Sequence, residues 1–298
     1  MKNKIISIIT PSYNQEKFIA RTLESVLKQE GNFYLDFIIF DAVSKDSSVE
    51  IIKKYEKLLQ ENCDLQEKDG LKYFLSKNAD FAFNKCLGIS YRWFCEKDGG
   101  QSEAINKGFK LAVGDVVAWL NSDDYYLDDV LEIVVQNLHL KNLDILYGKA
   151  IACDENQKEL WNYPLPDLNL YILMNKKTMI PQPSIFFKRS LFEKYGYVRQ
   201  DLHYCMDYEL LLRFLFNNAN VKKIDQNLSV QTYHDSSKSC SQPEKFLIER
   251  TEVNREYRNK MGLVKKLQIW KFRFKYKYIP SLMRWIELSR LCHNSSKN

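Results

Sequence analysis

The feature that most constrains the fold is a short apolar run that ends abruptly in acids. Residues 116–120 read Val-Val-Ala-Trp-Leu, and they are followed at once by Asn121, Ser122, Asp123 and Asp124. β-Branched and aromatic side chains in so short a run predict a buried strand. Acids at the carboxyl end of such a strand are typical of the ligand-binding edge of an open α/β sheet.

The paired acids Asp123 and Asp124 predict a bound cation. Adjacent carboxylates repel each other, so a positive partner is expected beside them. A divalent metal, Mn²⁺ or Mg²⁺, meets that need because both accept oxygen ligands and keep positions open for phosphate oxygens. The alternative is an acidic turn that caps the next helix, because Asp and Asn favour turns and N-caps. This stretch alone leaves both interpretations open.

Strands and helices alternate along the first part of the chain. Runs at 5–9 and 37–40 predict strands, the second ending at Asp41, while 17–29 and 49–59 have helical spacing. This alternation favours parallel strands joined by right-handed crossovers. No glycine occurs between Thr10 and Lys17, so the glycine-rich cradle of dinucleotide-binding enzymes is missing and a dehydrogenase is disfavoured.

The positive charge is concentrated near the C-terminus. The 298 residues carry a net charge of +6, and the stretch 265–290 alone holds eight Lys or Arg against one acid. The main body is therefore close to neutral, which removes the main support for a nucleic-acid partner.

The same stretch, 265–290, alternates aromatic with basic side chains from Trp270 to Tyr278. Aromatic residues suit the bilayer interface and basic residues suit anionic headgroups, so one hypothesis is attachment to a membrane surface. The alternative is that the aromatic side covers the catalytic domain, because alternation is also the pattern of a half-buried strand.

Cysteine usage and the N-terminus favour a cytoplasmic location. If 265–290 attaches to a membrane, the expected place is the inner face of the cytoplasmic membrane. The seven cysteines are odd in number and form no CxxC pair, which favours free thiols in a reducing compartment. Residues 1–4 run directly into the first strand, so no signal peptide is expected. No window approaches 18 apolar residues, so no membrane span is expected.

Asp207 is the candidate for acid–base chemistry. It lies beside His203 at the start of a predicted helix, where capping alone would explain a single Asp. Glu209 and Arg213 are spaced to pair with each other, which leaves Asp207 free to face a cleft. His234 lies in a hydroxyl-rich stretch, and a lone histidine is more often structural than a ligand.

Six sequence blocks occur in an order that resembles a known family. The blocks are ITPSYNQ at 9–15, FDAVSKDS at 40–47, EKDGGQSEAINKG at 96–108, WLNSDD at 119–124, IPQPS at 180–184 and MDYEL at 206–210. Together they resemble the inverting family 2 glycosyltransferases with the GT-A fold, in particular the bacterial subgroup that builds surface polysaccharides. The resemblance covers roughly residues 4 to 240, and the blocks are specific only as a set.

The resemblance implies an α/β fold of the GT-A type, with a Rossmann-like, mostly parallel central sheet flanked by helices. The GT-A domain is expected to span 1–240 with an insertion at about 61–91. A helical, basic-aromatic extension is expected at 241–298.

The resemblance also implies the site residues. Donor-binding residues are expected to be Thr10, Pro11, Tyr13, Asp41, Ser44, Asp98, Gln101, Asn121 and Asp123. Metal ligands are expected to be Asp123, Asp124 and His234, with Ser236 to Ser239 belonging to a late loop that covers the diphosphate. Asp207 matches the family's general base.

One block departs from the family's usual pattern. Asp41 is followed by Ala42, Val43 and Ser44, where the family usually has Asp-Gly-Gly-Ser. Losing both glycines restricts the backbone at that turn and is expected to reshape base recognition.

The expected activity is metal-dependent, inverting transfer of a sugar, of the hexosyltransferase type. The donor is expected to be a nucleoside diphosphate sugar, with UDP as the nucleotide, and the acceptor a hydroxyl of a glycan or lipid-linked saccharide. One alternative is a sugar nucleotidyltransferase, although the glycine-rich basic loop it needs is missing. A second is a non-catalytic nucleotide-sugar binding module, which a salt-bridged Asp207 would favour. A third, a membrane adapter, rests on the tail alone.

Overall fold

A computed structural model describes residues 4–78, 80–138, 142–175, 180–234 and 243–274. The strands are β1 Ile5–Ser12, β2 Tyr34–Asp41, β3 Cys63–Lys68, β4 Leu71–Ser76, β5 Gly88–Cys95, β6 Val116–Trp119, β7 Tyr125–Tyr126, β8 Ile145–Asp154, β9 Glu159–Asn162, β10 Ile185–Lys188 and β11 Val221–Tyr233. The helices are α1 Ile19–Leu27, α2 Ser48–Asn62, α3 Gln101–Leu111, α4 Val130–Leu138, α5 Leu170–Asn175, α6 Ser190–Tyr195, α7 Met206–Phe216, α8 Pro243–Lys260 and α9 Leu263–Arg273. A 3-10 turn, Gln182–Ser184, precedes β10.

The eleven strands of the described residues belong to one sheet, in the order β3-β4-β5-β2-β1-β6-β10-β8-β11-β7, with β9 paired to β8. The predicted strands β2, β1 and β6 are parallel neighbours, and β5, which the sequence did not predict, also runs parallel to β2. Strand β10 then runs antiparallel between β6 and β8. The parallel centre brings the carboxyl ends of its strands to one edge, which is where the polar motifs of the sequence lie.

Helices cover both faces of the sheet because the central strands are apolar on both sides. In β1, Ile6 and Ile8 face a core that includes α1, α2 and α4. Ile9 faces the opposite core, which includes α3, α6, α7 and α8. The predicted α/β architecture of helices flanking a central sheet is confirmed.

The predicted insertion, 61–91, contains an antiparallel hairpin formed by β3 and β4. Its last four residues belong to β5, which is a central strand paired in parallel with β2. The sequence pattern does not reveal β5 because a charged residue interrupts it. Arg92 of β5 is bound to the fully buried Asp36 of β2, with 2.6 Å between Nη2 and Oδ1.

Helix α8 packs on α7 and on the segment that precedes α7. The Tyr257 hydroxyl donates to Glu209 Oε1 at 2.6 Å, and Arg199 donates to Glu256 at 2.8 Å. Helix α9 touches the domain through Lys265, whose ammonium lies 4.0 Å from the centre of the Phe216 ring. Among the described residues, no helix is long and apolar enough to cross a bilayer.

Candidate active site

A cavity of about 1050 Å³ opens at the carboxyl ends of the parallel strands. Ser12, Asp41 and Cys95 lie side by side in register at the ends of β1, β2 and β5. Nine of the predicted site residues line this cavity: Pro11, Tyr13, Asp98, Gln101, Asn121, Asp123, Asp124, Asp207 and His234. Motifs that are far apart in the sequence thus meet in a single cleft.

The other three predicted site residues, Thr10, Asp41 and Ser44, do not line the cavity. Asp41 is almost fully buried and accepts hydrogen bonds from the hydroxyls of Ser12 at 2.9 Å and Ser44 at 2.6 Å. Ser44 in turn accepts one from the backbone of Asn14 at 2.8 Å. In this structure the Asp41 carboxylate therefore joins the loops after β1 and β2, and those loops contribute Ser12, Tyr13 and Ala42 to the wall.

The turn that departs from the family pattern keeps a glycine-like backbone. Val43 has φ of +60°, in the left-handed region that a β-branched side chain rarely adopts. Its side chain is exposed, so packing does not offset the local strain. The loss of the two glycines has therefore not changed the backbone to a conformation that valine prefers.

The glycine loop before α3 is held by its own acids. The Gly100 N–H donates to Asp98 Oδ1 at 2.9 Å, and the Gly99 N–H donates to Glu103 Oε2 at 2.7 Å. Gln101, the first residue of α3, donates to Asn121 Oδ1 at 2.8 Å. The loop and the acidic motif after β6 are thus connected directly.

Asp123 and Asp124 have different surroundings although they are adjacent. Asp124 is buried, and its carboxylate accepts from the backbone N–H of Thr232 at 2.9 Å and from Asn121 Nδ2 at 3.3 Å. Burial, and then the charge of Asp123, raise the pKa of Asp124 well above its usual range. Asp124 therefore ties the motif to β11, whereas Asp123 is partly exposed to the cavity.

His234 is positioned against Asp123 from the far end of β11. Its Nε2 lies 3.0 Å from Asp123 Oδ2, and its ring stacks on Phe18 with 4.6 Å between centroids. The side chain of His234 is only 5% exposed, so the ring orientation is well defined. The rest of the predicted late loop, Ser236 to Ser239, lies outside the described residues.

The chemistry of this pair fits a divalent metal. Asp123 Oδ2 and His234 Nε2 lie 3.0 Å apart, within hydrogen-bond distance, so a carboxylate oxygen and an imidazole nitrogen lie next to each other and would be the groups that hold such an ion. A carboxylate with an imidazole suits Mn²⁺ better than Mg²⁺, which prefers oxygen ligands. Within the part of the chain that the structure describes, no third His, Cys, Asp or Glu completes a cluster. Asp124, the third predicted ligand, is instead engaged with Thr232 and Asn121.

Asp207 lies in the first turn of α7, on the wall of the same cavity. The predicted pair of Glu209 with Arg213 is confirmed, with 3.0 Å between Oε2 and Nη2. Among the described residues no ion pair involves Asp207, which accepts a hydrogen bond from the Tyr208 N–H at 2.7 Å. Burial raises the pKa of this carboxyl above its usual range.

Sequence reasoning missed Glu249 of α8. Its carboxylate accepts hydrogen bonds from the backbone N–H groups of His203, Tyr204 and Cys205, at 3.0, 2.8 and 3.0 Å. These three residues form the turn that leads into α7 and Asp207. Nothing local in the sequence signals this role, because more than 40 residues separate the acid from its partners.

Gln182 was also missed, although it lies within one of the matching sequence blocks. It lines the cavity from the 3-10 turn before β10, and its Nε2 donates to the Trp119 carbonyl at 2.8 Å. The signal that could have identified it is its position between Pro181 and Pro183, since a polar residue in a rigid turn is held in one place.

The sequence model of Glycosyl transferase family 2 matches residues 7–196. The glycosyltransferase MJ1057 of Methanocaldococcus jannaschii is 23% identical over 301 residues, which cover 99% of this chain and 84% of the relative. TuaG of Bacillus subtilis, a glycosyltransferase assigned to teichuronic acid biosynthesis, is 31% identical over 128 residues, 43% of this chain and 39% of TuaG.

The fold is also found among solved structures. The 1-349 fragment of S. aureus TarS, in complex with UDP-GlcNAc, is similar with a TM-score of 0.61 and 19% sequence identity. The match covers 91% of this chain and 73% of the TarS fragment. By contrast, the chain spans only 31% and 35% of the length of two Rickettsia glycosyltransferases. Because the family model covers more than half of the 298 residues, the chain belongs to glycosyl transferase family 2 and is a glycosyltransferase with the GT-A fold.

Proposed function

We propose that this glycosyltransferase moves a sugar from a nucleoside diphosphate sugar to an acceptor hydroxyl, with inversion at the anomeric carbon. The observation that carries the proposal is the position of Asp207. Its half-buried carboxylate lies on the wall of the same cavity as Asp123 and His234, and it forms no ion pair with any described residue. The second alternative, a binding module without a base, would need no such acid.

Asp207 acts as the general base in this proposal. It accepts the proton of the acceptor hydroxyl as that oxygen attacks the face of the sugar opposite the leaving diphosphate. A raised pKa suits this role, because a base whose pKa lies nearer the working pH takes up the proton more readily. The turn that Glu249 holds sets the direction of the first turn of α7 and therefore of this carboxylate.

The proposed donor is a UDP-sugar, and the proposed acceptor is a glycan or lipid-linked saccharide of a bacterial polysaccharide pathway. The similar TarS structure contains UDP-GlcNAc, and TuaG is assigned to teichuronic acid biosynthesis. The nucleoside would lie over the loops after β1 and β2. The diphosphate would then lie beside Asp123.

We propose that Asp123 and His234 hold a divalent metal, Mn²⁺ or Mg²⁺. When bound, such an ion neutralises the negative charge of the diphosphate leaving group. Asp124, predicted as a third ligand, would support the site by fixing Asn121 and the end of β11. His234 would be held in place for this task by its stacking on Phe18.

The test compares Asp207→Asn with the wild-type protein. We expect donor binding to be retained and turnover to fall by about 10²–10⁴, the range for a general base. Donors are first chosen from UDP-, GDP- and dTDP-sugars by thermal shift with Mn²⁺, since a specific ligand stabilises the folded state. Turnover is then measured as nucleotide release, with water replacing the unidentified acceptor.

Asp64→Asn serves as the control for this experiment, because Asp64 is an exposed acid on the β3–β4 hairpin. It should leave both binding and turnover unchanged. Undiminished nucleotide release by Asp207→Asn would show that Asp207 is not the base.

Attachment to the cytoplasmic face of the membrane through 265–290 is also proposed, and α9 supports it. Leu263, Leu267, Trp270 and Phe274 are each at least half exposed, and their spacing of four, three and four places them on one face of the helix. Ile269, on another side of the helix, packs against the core of the domain. An exposed apolar stripe beside lysines is the pattern of a helix that lies in a membrane interface. Residues 275–290 of the proposed surface lie outside the described residues.

Flotation with anionic vesicles of phosphatidylglycerol and phosphatidylethanolamine tests this attachment. The double variant Leu267→Glu, Trp270→Glu should remain in the dense fraction while the wild-type protein floats. The matched control is Leu160→Glu, Trp161→Glu, which changes an exposed Leu–Trp pair on β9. If the control pair abolishes flotation and the α9 pair does not, α9 is not the membrane contact.

A further inference from the structure

Gln182 lines the cavity, and its amide is oriented by one hydrogen bond to the end of β6. The side chain is 7% exposed, and the 3-10 turn that carries it lies next to Pro181. Its Nε2 donates to the carbonyl of Trp119, the last residue of β6, at 2.8 Å. Because a carbonyl can only accept, this bond identifies the nitrogen and directs the Oε1 atom away from Trp119.

The Oε1 atom of Gln182 has no hydrogen-bond partner among the described residues, although it is buried. Buried polar atoms are nearly always hydrogen-bonded, and an unmade bond at such an atom costs folding free energy. Gln182 lines the cavity, and because its Oε1 atom has almost no accessible surface, the amide would turn toward the cavity when a bound molecule supplies the missing donor. The oxygen needs an O–H or N–H group, which a diphosphate at neutral pH does not offer.

The order of the strands indicates which part of the donor reaches Gln182. From one side of the sheet to the other, these four strands lie in the order β2-β1-β6-β10. The loops after β2 and β1 would carry the nucleoside, and Asp123, after β6, would lie beside the diphosphate. Gln182 stands one strand further on, immediately before β10. The group that follows a diphosphate in this direction is the sugar.

We propose that Gln182 Oε1 accepts a hydrogen bond from a hydroxyl of the sugar that is transferred, and so helps to select the donor. The inference rests on the proposed function and assigns one atom of the sugar subsite. A site that is built to bond a hydroxyl rejects analogues that lack it, because its own polar group is then left unpaired.

Isothermal titration calorimetry with UDP, UDP-GlcNAc, UDP-glucose and UDP-galactose tests the assignment in the presence of Mn²⁺. The measured quantity is the ratio of UDP affinity to UDP-sugar affinity, since free UDP has no sugar to contact Gln182. Gln182→Met should bind UDP within about twofold of the wild-type protein and lose about three- to tenfold in affinity for the preferred UDP-sugar, the size of one hydrogen bond.

Gln29→Met is the matched control. Gln29 is also a buried glutamine, but its amide is fully bonded to Ser25, Leu127 and Leu131 and it lies outside the cavity. Its replacement should lower the melting temperature and leave the ratio of affinities unchanged. This variant therefore separates general destabilisation from loss of the sugar contact.

The outcomes distinguish this inference from the proposed function. Loss of UDP and UDP-sugar affinity in equal proportion in Gln182→Met would show that the residue serves the fold, and the inference fails. It also fails if Gln182→Met keeps the full UDP-sugar affinity. If the wild-type protein binds none of the UDP compounds, the proposed donor is wrong, whatever Gln182 does.

Discussion

Glu249→Ala is the most informative single change outside the cavity. In the folded protein, burial pushes the pKa of Glu249 upward, but the N–H groups of His203, Tyr204 and Cys205 outweigh burial and lower it. The carboxylate is therefore bound more favourably in the folded state than in the unfolded chain. Removing it leaves three backbone donors without their acceptor at the start of the helix that carries Asp207.

The three backbone N–H groups differ in whether water can take the place of the Glu249 carboxylate. His203 is exposed, so water takes over its N–H at little cost, whereas Cys205 is fully buried and its N–H stays unpaired. An unpaired buried donor costs about 1–3 kcal/mol, and the half-buried Tyr204 adds about 1 kcal/mol. The free energy of unfolding should fall by about 2–4 kcal/mol, which corresponds to roughly 5 °C or more in Tm for a domain of this size.

Thermal unfolding by circular dichroism, at several pH values, measures this effect. Because the folded-state pKa is lowered, the contribution of Glu249 is present above its ordinary pKa of about 4.3 and is lost as the pH falls through the lower folded value. The difference in Tm between the wild-type protein and Glu249→Gln should therefore be largest near neutral pH and should disappear in acid. Glu252→Gln, at an exposed position of the same helix, is the control. A Tm change below 1 °C in Glu249→Ala would refute the reasoning.

Three further changes test other parts of the site. Burial raises the pKa of Asp207, so the ionised carboxylate destabilises the folded state at neutral pH. Asp207→Asn should therefore have a higher melting temperature than the wild-type protein at pH 7. Differential scanning calorimetry should find no difference in melting temperature below pH about 3.9, where both side chains are neutral. Asp123→Asn should abolish the gain in UDP affinity that Mn²⁺ gives the wild-type protein, and calorimetry with EDTA should find the two proteins equal; a full Mn²⁺ effect in the variant would contradict the ligand assignment. Val43→Gly should raise the free energy of unfolding in urea by about 0.5–1 kcal/mol, because it relieves a β-branched residue with positive φ, and a loss of stability would mean that the turn is not strained.

The strands with continuous apolar sequence were predictable, and β5 was not. A short apolar run such as 116–120 needs no information from elsewhere in the chain to indicate a buried strand. In β5 the run is interrupted by Arg92, which is compatible with a central strand only because Asp36 of β2 neutralises it at 2.6 Å. Asp36 is fully buried and also accepts from the Ser7 hydroxyl at 2.6 Å. Only the pairing of strands reveals such a partner.

In the site, too, some features could be predicted from local sequence and others could not. The chemical nature of the residues at the strand ends predicted a polar, acidic cleft, and nine of the twelve expected residues line one cavity. The predicted pair of Glu209 and Arg213 followed from helical spacing alone. What the sequence could not indicate was that Asp41 is enclosed by Ser12 and Ser44.

By itself, the sequence determined the strands with continuous apolar runs, their alternation with helices in the first part of the chain, and the chemistry of the residues that follow those strands, because periodicity and residue type act over a few neighbouring residues. The tertiary structure alone decided which partner each buried polar group takes. Glu249 meets the turn before α7 from more than 40 residues away, and Gln182 meets the end of β6 from 63 residues away. Such contacts arise from the packing of whole elements, and no local pattern in the chain encodes them.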